Sequence, residues 1–188
     1  MFDLSLLDHL RLTFGHVVNR HRAHSQLAWS RSRWSRRLRA IEALLMIGVL
    51  IAAFAAASGN GRGYVIASAV FAGLALVPLL VHLTFDLDAS ARAHALCATA
   101  LWQMRERYRA LLSDLRDGAI DLDTARARRD RLIAELHALY ENAPLADTHA
   151  YQKASETIAV AIEPALSDEE IDQFLPKSLH KAGKSAPA

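Results

Sequence analysis

Two uninterrupted apolar runs, separated by a five-residue glycine-rich stretch, constrain this chain more than anything else in it. The first, Ala43–Ala57, carries no charge, and the second, Tyr64–Phe85, has no acidic or basic side chain except His82. A helix rises about 1.5 Å per residue, so a hydrocarbon layer of about 30 Å needs about 20 helical residues, which the second run supplies outright. The first run reaches that length when its helix starts near Leu38 and ends near Ser58. Arg39 then snorkels to the headgroups, and Glu42 lies one turn inside the boundary. Gly59-Asn60-Gly61-Arg62-Gly63 is too flexible to continue a helix and too short to hold a domain, which makes the two spans antiparallel neighbours. A buried hairpin of a soluble protein is the competing solution, but 188 residues with heavily charged flanks leave little to cover both helices. A cleaved leader is not expected, since about forty residues precede the first run.

The net charge of +2 hides an asymmetry: residues 1–39 carry +6, the hairpin cancels through Glu42 and Arg62, and residues 86–188 carry −4. The basic cluster Arg31, Arg33, Arg36, Arg37 and Arg39, interleaved with Trp29 and Trp34, lies directly before the first span. Basic residues beside a span stay cytoplasmic and indoles prefer the headgroup layer, so these seven side chains read as membrane-interface anchors with both termini in the cytoplasm. The same string has the composition of a nucleic-acid patch, but the adjacent span accounts for it, and no nucleic acid is expected as a partner. The single cysteine, Cys97, excludes an intrachain disulfide framework and reads as a buried thiol.

Within the hairpin, an antiparallel pair closed at Gly61 matches residues whose numbers sum to about 122. Gly48 then faces Gly73 and Ala52 faces Ala69, with Ala56 continuing a small-residue seam. Such a seam matters because in lipid, helix contact depends on close backbone approach. The same register brings Glu42 level with His82, either as a boundary pair that holds the hairpin in register or as a proton-sensitive group at a pore mouth. Pro78 is expected to kink the second span.

The flanks have helical period. Leu7, Leu10, Phe14, Val17, His21, His24 and Ala28 place an amphipathic helix over Met1–Ala28, lying on the membrane or against the cytosolic helices, with Gly15 as its weak point. Its histidines lack a carboxylate or cysteine at ligand spacing and read as boundary residues. Ala89–Asp117 reads as one long helix, since Cys97, Leu101, Met104, Tyr108, Leu111 and Leu115 recur at four, three, four, three and four. Gly118 ends it, and Asp121 caps a second helix, Leu122–Asn142, with Ala125, Leu132, Leu136, Leu139 and Tyr140 on its apolar face. Asp147 caps a third, Thr148–Ile162. Ser167-Asp168-Glu169-Glu170 spells a capping box that opens a short helix over 167–175, which docks on its own chain or on a partner through Phe174. Lys177–Ala188 reads as disordered.

The expected fold is therefore all-α, with a cytosolic amphipathic and basic segment at 1–39, a two-span hairpin at 40–85, a cytosolic helical bundle at 86–165 and a tail at 166–188. The sequence has no phosphate loop after a strand, no HExxH and no G-x-S-x-G, so no catalytic residue, metal or cofactor is expected. Arg126, Arg128, Arg129 and Arg131, together with Phe174, are the candidate partner surface.

One further pattern is shared with a known family. The string YRALLSDLRDGAIDLDTARARRDRLIAELHALYENAP at 108–144, followed by HAYQKA at 149–154, resembles the SLATT domain, the two-transmembrane effector associated with bacterial nucleotide-synthase and nucleotide-sensor modules. The likeness rests on Asp114, Arg116 and Gly118 at the turn, on Arg128-Arg129-Asp130, and on the Tyr140/Ala143-Pro144 exit followed by Ala150-Tyr151. It reaches back through His21–Arg39 to cover roughly residues 20–165. The resemblance implies an effector of a bacterial conflict system, assembling in the inner membrane as a homo-oligomer and permeabilising it when a nucleotide-sensor protein encoded nearby is activated. The alternative is a non-conducting anchor that recruits a cytosolic partner. Two spans cannot enclose a pore, so any pore must be oligomeric.

Overall fold

The computed structural model describes residues 5–59, 61–144 and 167–181. The fold is all-α, with helices α1 (Leu6–Ala57), α2 (Arg62–Phe85), α3 (Leu87–Arg116), α4 (Leu122–Glu141) and α5 (Asp168–Asp172), and a closing 3₁₀ turn at Lys177–Leu179. The expected third bundle helix at 148–162 with its cap at residue 147, the Ala150-Tyr151 motif, Asn60 in the loop and the last residues, 182–188, lie outside the described residues.

The N-terminal amphipathic helix and the first span are not separate elements. They form a single helix of 52 residues. An interior glycine costs a helix about 1 kcal/mol relative to alanine, and Gly15 is buried, so packing around it outweighs the deficit.

The chain divides into two compact units, Met1–Leu27 with Ala93–Ala188, and Ala28–Arg92. In the first, the amphipathic face of α1 lies in the protein core and not on a membrane surface. Leu10, Phe14, Val17 and Val18 join Cys97, Leu101, Met104, Tyr108, Leu111 and Leu112 of α3 in one apolar cluster, completed by Ala125, Leu132 and Leu136 of α4. The predicted seam of α3 is therefore the buried one, and burial pushes the Cys97 thiol up from its ordinary range. Gly118 takes a left-handed φ of 66° that ends α3, and the side chain of Asp121 accepts a 2.6 Å hydrogen bond from the Thr124 amide to open α4.

The tail belongs to this unit. Ser167 and Glu170 form the reciprocal capping box, and Ile171, Leu175 and Leu179 are buried in the shared core. The helix is shorter than the expected 167–175, because Pro176 lacks an amide and its ring holds the preceding residue out of helical conformation. The expected disorder from Lys177 onward begins too early: Lys177–Leu179 is an ordered 3₁₀ turn that seats Leu179.

In the second unit, α1 and α2 share a narrow contact. On α2 Ala75 and Pro78 are buried and His82 is half-buried, while Phe71 reaches Gly48 with its ring and stays partly exposed, and α2 continues through Pro78 to Phe85. On α1 Ser35, Glu42, Leu45, Gly48 and Ala52 lie along the covered side. The rest is outward and apolar: Leu44, Leu50, Ile66 and Leu83 are all exposed, and Phe54 is 78% exposed. A soluble helix pair does not present such a surface on both members, whereas hydrocarbon solvates it without cost. Both helices are long and apolar enough to span a membrane.

Candidate functional site

The polar groups of the hairpin unit converge where α2 ends and α3 begins. Asp86 adopts a left-handed φ of 35°, ending α2, and its Oδ1 accepts the Ala89 amide at 3.1 Å, opening α3. One aspartate thus serves both helices. Asp88, in the first turn of α3, accepts a 2.6 Å hydrogen bond from the Ser35 hydroxyl of α1, pairs with the Arg39 guanidinium, and lies 3.8 Å from His82 Nε2. Arg31 donates to the Ser90 hydroxyl one helical turn before the Ser35 contact. The position suits a carboxylate, because the free amides at a helix start favour negative charge there.

His82 therefore meets Asp88, six residues on, and not Glu42 across the hairpin. Glu42 sits on the covered side of α1, and among the described residues it makes no hydrogen bond or ion pair. Asp88 takes the place that the register arithmetic assigned to Glu42, because α3 begins one residue after α2 and keeps the antiparallel register with α1, which sets Asp88 opposite Ser35. His82 Nδ1 is buried and has no hydrogen-bond partner among the described residues.

The small-residue seam is one-sided. The ring of Phe71 lies 3.3 Å from where a Gly48 Cβ would stand, so the glycine admits an aromatic side chain and not a second glycine. Nothing lies within 4 Å of the corresponding point at Gly73; Ala69 is exposed, Ala56 is half-buried and Ala52 is buried. A lone ring filling the notch satisfies packing that two facing glycines would leave thin.

Of the seven interface candidates, Arg31 is half-buried and donates to Ser90, and Arg39 pairs with Asp88 while its side chain stays exposed. Trp29 and Trp34 remain largely exposed, with the Arg33 guanidinium 4.3 Å over the Trp29 ring and Arg37 5.9 Å over Trp34. Arg36 is exposed too.

The arginine-rich face of α4 is partly consumed by pairing. Arg128 reaches Asp114 at 2.9 Å, Arg126 pairs with Asp123, Arg129 with Asp130, and Arg107 of α3 holds Glu135. A cleft of about 280 Å³ remains between α3 and α4, lined by Arg107, Ala110, Leu111, Asp114, Arg128, Arg131 and Leu132. Phe174 packs against the core with the Arg22 guanidinium 4.2 Å over its ring, so its face is already occupied. Among the described residues no group of three or more His, Cys, Asp or Glu could hold a metal ion.

Three features escaped the sequence. Asp88 and Ser35 have numbers that sum to 123, so extending the hairpin register one turn past Phe85 finds their pairing. His24 and His94 are both buried, with Nδ1 atoms 3.0 Å apart, and only tertiary structure brings them together. Arg11 lies at a nominally apolar turn of α1, yet it is 1% exposed and reaches the tail. No local pattern marks that partner, which is more than 150 residues away.

The family model for SMODS and SLOG-associating 2TM effector domain family 4 matches residues 6–170, which include the hairpin, the polar corner and α3–α4. Neither the curated proteins nor the solved structures contain a match.

Proposed function

Because the chain belongs to SMODS and SLOG-associating 2TM effector domain family 4, we propose that it is a bacterial inner-membrane effector of a conflict or antiviral defence system. It acts by assembling into an oligomeric pore that permeabilises the membrane when a nucleotide-sensing partner is activated. The observation that carries this reading is the exposed apolar belt on both hairpin helices, in a chain whose family is named for two membrane spans and effector action. The basic segment before the first span supports cytoplasmic termini.

The hairpin offers a pore few polar groups: Ser58, Ser68, Glu42, His82 and Thr84. A lumen lined by Ala, Val and Leu dewets, which suits a pore that is closed at rest and opens by rearrangement. The Arg39–Asp88–Ser35 cluster, with His82 beside it, is the element we assign to holding the hairpin against α3 in the closed state. Glu42, unpaired and on the covered side, is the group that rearrangement would expose to water.

Purified protein in dye-loaded vesicles tests the proposal, with and without the products of adjacent reading frames. Leakage that rises with protein density and depends on a co-reconstituted partner is expected. The reading is overturned if no leakage occurs at any density or with any neighbouring gene product. The second reading, a non-conducting anchor that recruits a cytosolic partner, is favoured by the cleft between α3 and α4, where Arg131 stands beside the Arg107–Glu135 and Arg128–Asp114 pairs, and tight capture of a partner without leakage would select it.

A further inference from the structure

The five arginines before the first span fall into two sets. Ser35 is buried on the covered side of α1, and Arg31 and Arg39, one turn to either side of it, are engaged by Ser90 and Asp88. Arg33, Arg36 and Arg37 are exposed away from that side and make no ion pair among the described residues. Two of them lie over indoles, Arg33 at 4.3 Å from the Trp29 ring centre and Arg37 at 5.9 Å from that of Trp34. Residues 29–41 contain no Asp or Glu, so nothing in this segment offsets the three charges.

The same side of α1 continues into the apolar belt. Arg33, Arg37, Leu44 and Ile51 are spaced four, seven and seven, which keeps them on one helix face, and Leu44 and Ile51 are 69% and 66% exposed. Acyl chains lying along Leu44 and Ile51 therefore carry their headgroup toward Arg37 and Arg33. The rise from Arg33 to Arg37 is about 6 Å, which matches the depth of one polar headgroup layer, about 5 to 7 Å. A guanidinium meets an aromatic ring through its flat face, and its in-plane N–H donors stay available to fork onto phosphate oxygens. A zwitterionic headgroup brings its own ammonium to these donors, whereas a phospholipid of net negative charge does not.

We propose that Trp29, Arg33, Trp34, Arg36 and Arg37 form a binding surface for the headgroup of an anionic phospholipid, seated where α1 enters the bilayer. The proposal rests on the hairpin crossing the membrane and is independent of conduction.

The full-length Trp102→Phe protein keeps Trp29 and Trp34 as its only indoles. It is placed in nanodiscs of equal phosphatidylglycerol and phosphatidylcholine, with bromine near the top of the acyl chains of one lipid or the other, and indole quenching is compared. Quenching is expected to be stronger with brominated phosphatidylglycerol, giving a relative association constant of about threefold or more in its favour. Arg33→Gln, Arg36→Gln and Arg37→Gln together bring that ratio to about one with helicity unchanged by circular dichroism. Arg109→Gln, Arg116→Gln and Lys177→Gln together remove the same charge from exposed positions elsewhere and leave the ratio as it was. Equal quenching by the two lipids in the parent protein, or a preference that survives loss of the three arginines, would overturn the proposal. So would a preference abolished at constant ionic strength by inorganic phosphate or by a single-stranded oligonucleotide, because the arginines would then serve a soluble anion. Quenching by neither lipid would overturn the membrane-spanning reading itself.

Discussion

Acidification should loosen the first unit through the pair His24 and His94. Their Nδ1 atoms approach to 3.0 Å, so one ring donates a proton and the other accepts it with a lone pair. Adding a second proton sets two N–H groups against each other inside the core. Burial, and then the charge of Arg20, pull the His24 pKa below its ordinary 6.5. In the unfolded chain that restraint is gone. The pair's contribution is therefore fully present above pH 6.5 and is lost as pH falls from there toward the lowered folded value.

One proton bound only by the unfolded chain limits the slope to about 1.4 kcal/mol per pH unit. Between pH 6.5 and 5.5 that is at most about 1.4 kcal/mol, or about 3 to 6 °C in Tm for a chain of this length. Asp8, Asp121 and Glu135 have their pKa values lowered by hydrogen bonds and cationic neighbours, so their stabilisation is present above the ordinary carboxylate range and is lost only at more acidic pH. They do not contribute in this window. Thermal melting of the detergent-solubilised protein, followed by circular dichroism at 222 nm across pH 7.5 to 5.0, is the assay. His24→Leu removes the titrating ring and flattens the slope between pH 6.5 and 5.5, although the variant is less stable at pH 7.5 because His94 loses this bond. An unchanged slope in the variant would refute the assignment.

Other consequences can be checked by mutation. Leu101 is fully buried in the core, so Leu101→Ala should cost about 2 to 5 kcal/mol, read as a lowered denaturation midpoint. Gly118 holds a left-handed φ of 66° with open space around it, so Gly118→Ala costs about 1 kcal/mol from backbone conformation alone, and Gly118→Asn costs less. Ile47 is exposed near the middle of the first span. Ile47→Arg should lower membrane insertion by about 2.5 to 3.5 kcal/mol in a glycosylation-reporter assay, whereas an Arg at exposed Trp102 of α3 leaves insertion unaltered. With Glu42 wetted on opening, Glu42→Gln changes the extent of leakage without changing hairpin stability; leakage identical to the wild type would remove that role.

The helices themselves were legible along the chain because their signals are local. A run of charge-free residues longer than a bilayer is thick, a four-three repeat at Cys97–Leu115, a glycine at 118 and an Asp at 121 each act within one or two turns. The capping box at Ser167 was readable for the same reason. The junction between the N-terminal helix and the first span was misjudged, because no breaker separates them and the only argument for a boundary was where lipid begins. The bilayer sets no stop in an α-helix whose hydrogen bonds are all internal.

What only the tertiary structure decided is how charge is partnered across distance. Arg11 among leucines, His24 against His94, and Asp88 in place of Glu42 opposite His82 are invisible to periodicity, since a buried polar group is defined by a partner that composition does not locate. Even within the predicted seam, geometry decided that Gly48 receives Phe71 and leaves Gly73 open. Backbone regularity and hydrophobic period are properties of neighbours in sequence, and pairing is a property of neighbours in space.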